Sequence, residues 1–139
     1  MVYLLDTNVV SELGLREPNP GLITWVDQQA EPLLFLSVLT VGEIQQGIQR
    51  LPVSRRQREL RDWFRRQVIL RFGGRILALD TPTMLLWGDM TAERVGAGRP
   101  MPAMDSLLAA TALAHDLTLV TRNESDFDVP GLRVLNPWS

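Results

Sequence analysis

Short apolar segments alternate along this chain with longer segments of helical periodicity, and that alternation constrains the fold more than any other feature. Strands that are separated by helical lengths of chain pair in parallel, and strands that helices cover on both faces are apolar throughout. We therefore predict an α/β fold around a parallel sheet. The five predicted strands are Val2–Leu5, Leu33–Ser37, Arg75–Leu79, Leu117–Thr121 and Arg133–Leu135.

Capping residues indicate where two of the helices begin. The Asn19-Pro20 pair predicts a helix start in which the asparagine is the N-cap and the proline is the first helical residue. The Thr81-Pro82 pair predicts the same kind of start, with Thr81 as the cap, before a helix over Thr83–Val95.

Two further helices are predicted over residues 54–72 and over the alanine-rich residues 103–115. Residues 50–75 also hold nine arginines against two acids, a net charge of +7, whereas the rest of the chain sums to −9. This basic block indicates a polyanion or an acidic protein as partner, or a face that contacts only solvent. Trp63 would stack on bases of a bound nucleic acid or belong to the core. The apolar stripe of residues 54–72 consists of Leu60, Trp63, Phe64, Val68 and Phe72.

The reactive side chains exclude several classes of enzyme. All 14 basic residues are arginine, there is no cysteine, and His115, at a predicted helix end, is the single histidine. Without lysine, a Walker-type phosphate loop is incomplete and Schiff-base catalysis is excluded. The missing lysine also argues against a phosphorelay receiver domain and a haloacid-dehalogenase-type phosphatase. Without cysteine, disulfides, thiolate nucleophiles and cysteine-based zinc sites are excluded. Carboxylates remain as the main groups for demanding chemistry.

The length of 139 residues suits one domain, and we interpret residues 1–139 as a single domain. The amino-terminal segment lacks the basic region of a signal peptide. No apolar run approaches the roughly 20 residues that cross a bilayer. We therefore expect a cytoplasmic protein that does not associate with a membrane.

Four acidic residues occupy positions that a parallel sheet brings to one edge. Asp6 directly follows the first predicted strand and Asp126 follows the fourth, while Glu43 and Asp105 lie near the starts of helices. Open α/β sheets bind ligands at the carboxyl ends of their strands, so we expect the four carboxylates to share one crevice. Neighbouring carboxylates repel one another, and oxygen ligands without cysteine or histidine select Mg²⁺ or Mn²⁺.

Each of these acids also has a purely structural explanation. Asp6 suits a helix N-cap, and Glu43 stands three residues after a threonine, as in a capping box. Asp105 suits a first helical turn, where the helix dipole favours an acid. Asp126 suits an ordinary turn. Its rivals for any role in a site are Glu124 and Asp128.

Several motifs together identify a family. They are Leu5-Asp6-Thr7-Asn8 with Ser11-Glu12, Thr40-Val41-Gly42-Glu43, Gly98-Arg99-Pro100-Met101-Pro102 followed by Asp105 and Ala109-Ala110-Thr111-Ala112, Thr121-Arg122-Asn123 followed by Asp126-Phe127, and Leu135-Asn136-Pro137-Trp138. In these motifs the chain resembles the PIN-domain family, and specifically the ribonuclease toxins of VapBC-type (FitB-like) toxin–antitoxin modules. The resemblance covers almost the whole chain.

The resemblance implies a three-layer α/β/α fold with a five-stranded parallel sheet, endonucleolytic hydrolysis of RNA phosphodiester bonds, a homodimer and a cognate antitoxin. It implies Mg²⁺ or Mn²⁺ held by Asp6, Glu43, Asp105 and Asp126. By position, Asp6 and Asp105 are expected to ligate directly, whereas the other two act through water or deprotonate the attacking water. The side chains expected to hold carboxylates or water in place are Thr7, Asn8, Thr40, Thr121 and Asn123. The alternative is a catalytically silent PIN-like domain that binds RNA or a protein partner.

Overall fold

The computed structural model describes all residues, 1–139, and contains the predicted parallel α/β fold. Its single five-stranded sheet has the order β3-β2-β1-β4-β5, and every adjacent pair of strands is parallel. The strands are β1 (Tyr3–Leu5), β2 (Leu34–Ser37), β3 (Ile76–Leu77), β4 (Thr118–Val120) and β5 (Val134–Leu135). Each strand lies within the segment predicted for it, so the five strand predictions are confirmed.

Six α-helices connect the strands. They are α1 (Thr7–Leu13), α2 (Pro20–Gln28), α3 (Val38–Gln49), α4 (Arg55–Trp63), α5 (Thr81–Gly96) and α6 (Ala103–Ala114). Short 3-10 helices over Glu31–Leu33 and Glu124–Phe127 precede β2 and follow β4. None of the helices is long and apolar enough to cross a bilayer.

Successive side chains of the central strands enter two different cores, because side chains alternate between the faces of a sheet. Leu5 of β1 and Val120 of β4 belong to one core, which also takes buried residues from α1, α2 and α3. Leu4 and Leu119 point the other way and belong to a second core with residues of α6. The sheet therefore lies between two helical layers, with α1 to α4 on one face and α5 and α6 on the other.

One of the two capping predictions is confirmed and the other is wrong. Asn19 caps α2 and accepts a 3.1 Å hydrogen bond from the helix backbone, with Pro20 as the first helical residue. For α5, however, the N-cap is Asp80, whose Oδ1 accepts from the Thr83 N–H at 3.0 Å, and Thr81 is already helical. Aspartate is at least as good a cap as threonine, and proline is tolerated anywhere in the first turn, so the helix begins one residue earlier.

The predicted helix over residues 54–72 is α4 followed directly by a π-helix over Phe64–Leu70. Three members of the apolar stripe, Phe64, Val68 and Phe72, are buried in the first core. Trp63 packs against the same core, and its ring lies so close to Gly14 that a Cβ added to this glycine would come within 2.8 Å of it. These contacts favour the interpretation of Trp63 as a core residue.

Candidate active site

Asp6 lies at the junction between β1 and α1 and has two local partners. It is the N-cap of α1, and its Oδ1 accepts a 2.6 Å hydrogen bond from the Thr7 N–H. Its Oδ2 accepts a 2.8 Å hydrogen bond from the hydroxyl of Thr121, which directly follows the neighbouring strand β4. Asp6 is 8% exposed and Thr121 is fully buried. The capping explanation of Asp6 is therefore correct, and it leaves lone pairs on both oxygens available for another ligand.

Glu43 lies within α3 and is oriented from across the sheet edge. The Thr7 hydroxyl donates to Oε1 of Glu43 at 2.6 Å and lies 3.1 Å from the hydroxyl of Thr40. The capping-box explanation of Glu43 is wrong, because α3 starts at Val38 and its N-cap is Ser37. A residue after β1 thus fixes an acid of the helix after β2.

Asp105 and Asp126 come from two later segments. Asp105 stands in the first turn of α6, as expected, and is half-buried. Asp126 belongs to the exposed 3-10 helix over Glu124–Phe127. These segments follow different crossovers of the chain, so only the folded sheet can bring the two acids near each other.

The charges on the four acids act on one another. Burial raises the pKa of Asp6, hydrogen bonds from Thr121 and Thr7 lower it, and repulsion from Asp105 and Glu43 raises it further. Burial also raises the pKa of Asp105, with added repulsion from Asp126 and then from Glu43. The structure therefore brings all four predicted acids within electrostatic reach, and the metal-free arrangement stores mutual repulsion.

No arginine relieves this repulsion. None of the seven ion pairs of the chain includes any of the four acids. Of the two rival acids, Asp128 pairs with Arg99 at 3.0 Å. The other, Glu124, is exposed and does not contribute to the raised pKa of Asp6 or of Asp105. Asp126 is thus the acid of its turn whose charge acts on Asp105.

The supporting polar residues form a network around the buried Thr121 hydroxyl. This hydroxyl accepts from Nδ2 of Asn8 at 3.2 Å and from the backbone N–H of Asn123 at 3.1 Å. Oδ1 of Asn8 in turn accepts from the Arg122 N–H at 3.3 Å. All five predicted supporting residues therefore lie in contact with an acid or with a partner of one. Arg122, which lies within the Thr-Arg-Asn motif, has no role predicted from the sequence.

The donor set fits a divalent cation that keeps much of its water. All four side chains offer carboxylate oxygens, the ligands that Mg²⁺ and Mn²⁺ prefer. No group of three or more acidic or histidine side chains is close enough together to surround a metal ion alone. Mg²⁺ is commonly held by one or two carboxylates, water and substrate phosphate, so this spacing suits it. The unrelieved repulsion supplies the electrostatic reason for a cation to bind.

The carboxylates are open to solvent, since Glu43 and Asp105 are partly exposed and Asp126 is exposed. Two cavities of about 380 Å³ each lie elsewhere, and none of the four acids lines either of them. One is mainly apolar and lies between α1, α2 and the π-helix, and the other lies beside α5 and the loop around Asp128. An open, acidic crevice suits a polymer that lies across the surface better than a small molecule that must be enclosed.

Comparison with known proteins identifies relatives along the full length of the chain. The family model described as PIN domain matches residues 3–131. The plasmid stability protein StbB of Pseudomonas syringae pv. tomato is 39% identical over 99% of both chains. The VapC ribonuclease Y4jK of Sinorhizobium fredii is 34% identical over 99% of this chain and 98% of its own.

The comparison also includes a toxin and a solved structure from one organism. Toxin FitB of Neisseria gonorrhoeae is 33% identical to this chain over 99% of both chains. The crystal structure of FitAcB from the same organism superimposes with a TM-score of 0.91 and 32% identity, again over 99% of both chains. The match therefore includes the whole sheet and every segment that carries one of the four acids.

Proposed function

The chain belongs to the PIN-domain family, and on that premise we propose that it is a metal-dependent endoribonuclease, the toxin of a type II toxin–antitoxin module. The observation that carries this proposal is the set of four carboxylates from four separate segments, none of which pairs with an arginine. The relative named VapC ribonuclease and the relative named toxin FitB support the activity and the role.

The four acids have distinct proposed roles in phosphodiester hydrolysis. Asp6 and Asp105 hold Mg²⁺ or Mn²⁺ directly, and Glu43 and Asp126 hold it through water or orient and deprotonate the attacking water. When bound, the divalent cation lowers the pKa of coordinated water and offsets charge on the leaving oxygen.

The hydrogen bonds of the chain determine which carboxylate oxygens remain available to accept a proton and which are held in place. Thr7 occupies Oε1 of Glu43, and no protein group donates to Oε2, so that oxygen is available to accept a proton. Thr121 and the Thr7 N–H fix both oxygens of Asp6. Thr40, Asn8 and Asn123 hold these partners in place, so the supporting residues orient carboxylates and do not react themselves.

The proposed function also implies the domain organisation, location and partners of the chain. Residues 1–139 form a single PIN domain that acts on RNA in the cytoplasm and assembles as a homodimer. A cognate antitoxin protein inhibits it until the toxin is released.

Cleavage of RNA by the purified chain tests the proposal. Without antitoxin, the protein is expected to cut RNA with Mg²⁺ or Mn²⁺ and to stop when EDTA is added. Asp6→Asn and Asp105→Asn should abolish cleavage and retain the far-UV circular dichroism of the parent. The matched control is Asp128→Asn, which removes an acid of the same region that pairs with Arg99. Sequencing of RNA ends after brief expression would identify the target.

A catalytically silent domain is the competing function, and the same assay separates the two. Such a domain would bind RNA or a protein partner and show no dependence of RNA integrity on divalent metal. Cleavage that survives both Asp6→Asn and Asp105→Asn would instead point to a contaminating nuclease and overturn the assignment of the four acids.

A further inference from the structure

Arg122 is an exposed cation placed one residue from the partner of Asp6. It directly follows Thr121, whose hydroxyl donates to Asp6. Its backbone is held on both sides: its N–H donates to Oδ1 of Asn8 at 3.3 Å, and its carbonyl accepts from Nδ2 of Asn136 at 3.3 Å. The position of Arg122 beside the carboxylates is therefore fixed by two hydrogen bonds.

The guanidinium of Arg122 makes no polar contact within the protein. It takes part in none of the seven ion pairs and in no side-chain hydrogen bond. Many other arginines are engaged: Arg71 and Arg75 contact Glu31, and Arg56 contacts Glu59. A free guanidinium presents a planar fork of donors that matches a phosphate group.

An aromatic ring lies next to this guanidinium. The centroid of the Trp138 ring is 5.9 Å from the guanidinium carbon of Arg122, within the range of a cation–π contact. Trp138 is half-buried and packs against the first core, and its backbone N–H donates to Oδ1 of Asn136 at 3.0 Å. The following residue, Ser139, donates its N–H to Asn19 at the start of α2. The ring is thus held in place on a tail that is fixed at both ends.

We propose that Arg122 and Trp138 form a subsite for single-stranded RNA beside the four carboxylates. Arg122 binds a backbone phosphate next to the scissile one, and Trp138 stacks on a base. Single-stranded RNA is recognised in this way, by arginine on phosphates and by aromatic rings on unpaired bases. This inference rests on the proposed ribonuclease function and adds to it the residues that position the substrate.

Binding measured apart from cleavage tests the subsite. Fluorescence anisotropy of a short labelled oligoadenylate is titrated with the full chain in EDTA, at a series of salt concentrations. Arg122→Gln should weaken binding and reduce the slope of log K against log salt by about 0.7, the value for one phosphate contact of a single strand. Arg122→Lys should retain most of that slope because it keeps the charge. Arg16→Gln is the matched control, since Arg16 is exposed, lies outside residues 50–75 and pairs with Glu59 at 3.6 Å; its slope should equal that of the parent.

The role of Trp138 has its own readouts. Trp138→Ala should weaken binding by about 5- to 150-fold, the range for loss of one base–aromatic stack. Because this ring packs on the core, Trp138→Phe is the second variant: it should bind nearly as the parent does but show weaker RNA-induced quenching of tryptophan fluorescence, since three tryptophans remain. Quenching as strong in Trp138→Phe as in the parent would overturn the stacking assignment.

The outcomes separate the subsite from the proposed function. If the parent cuts RNA with Mg²⁺ but Arg122→Gln binds with an unchanged salt slope, the subsite is wrong and the ribonuclease function stands. If Arg122→Gln loses affinity for the antitoxin alone, the residue belongs to the protein interface and the subsite is again wrong. If the parent neither binds nor cuts RNA, both assignments fail together.

Discussion

The Thr121 hydroxyl donates a 2.8 Å hydrogen bond to Oδ2 of Asp6, so the end of β4 fixes the carboxylate at the end of β1. Both side chains are buried, and the contact joins residues 115 positions apart in the chain. The Thr7 hydroxyl orients Glu43 in the same way, from a different segment of the chain.

Replacing Thr121 by valine keeps the shape of the side chain and removes its hydroxyl. Asp6 loses a donor, and two N–H groups, of Asn8 and Asn123, lose their acceptor. We expect the free energy of unfolding to fall by about 2–3 kcal/mol, the scale for a buried hydrogen bond to a charged group. Urea denaturation at neutral pH measures it. The control is Thr118→Val at the other end of β4, which loses one 3.3 Å contact with Arg133 and should cost less.

Thr7→Val should impair catalysis more than stability. The substitution removes the 2.6 Å hydrogen bond to Oε1 of Glu43 and leaves that carboxylate free to rotate. We expect RNA cleavage to fall by about 10- to 100-fold, the range for loss of a residue that orients a metal-site ligand. Thr91→Val is the control, because the Thr91 hydroxyl bonds only to the backbone of its own helix. Equal rates for both variants would contradict the orienting role of Thr7.

The metal-free protein should lose stability as the pH rises from mildly acidic values. Burial raises the pKa of Asp6 and of Asp105 in the folded chain above the ordinary value. Between the ordinary and the raised pKa, the folded state binds more protons than the unfolded state, so the free energy of unfolding falls with rising pH. Urea denaturation in EDTA over a pH series measures this slope, and Asp105→Asn should reduce it.

Two other acids have the opposite pH dependence at lower pH. A hydrogen bond from Arg71 lowers the pKa of Glu31, and one from Thr83 lowers the pKa of Asp80. Their contribution to stability is lost as the pH falls below the ordinary carboxyl pKa, so a series kept above about pH 4.5 separates the two effects. A slope that is the same in Asp105→Asn and in the parent would contradict the assignment to the crevice.

Gly14→Ala should destabilise the fold through overpacking. An added Cβ would lie 2.8 Å from two ring atoms of Trp63, and the ring is held by the first core. We expect a loss of about 1–3 kcal/mol, measured by thermal or urea denaturation. Gly47→Ala is the control: its Cβ would meet nothing within 4 Å, and alanine in the body of α3 should stabilise by about 1 kcal/mol. A Gly14→Ala variant as stable as the parent would contradict the predicted clash with Trp63.

The sequence predicted the strands well because each is a compact apolar run between polar turns. The positions of Asp6 after a strand and of Asp105 in a first helical turn are also predictable, since a strand end and a helix start are local features. The contact between Thr7 and Glu43 is not predictable from such local features. The capping-box spacing assigns Glu43 a partner within its own helix, but the helix starts at Val38, so that local contact does not form. Which local signal is used depends on where the helix begins, and here the N-cap is Ser37, three residues before Thr40.

The π-helix after Trp63 shows a second limit. The apolar stripe of residues 54–72 predicts a regular helix, and the buried residues of that stripe were assigned correctly. Helical periodicity does not show that the backbone hydrogen bonds over Phe64–Leu70 follow the π-helical pattern, in which each bond spans five residues and not four. Similarly, the position of the Arg122 backbone depends on Asn8 and Asn136, which only the folded sheet brings to it.

The strand order places β1 in the centre of the sheet, between β2 and β4. Asp6 therefore leaves the ribosome long before Thr121, its partner on the other side, has been translated. At the usual rate of protein synthesis the interval is on the order of 10 s. Throughout that time the nascent chain has no complete crevice. Completion of the crevice waits until translation is almost finished, because Asp126 follows Thr121 in the chain.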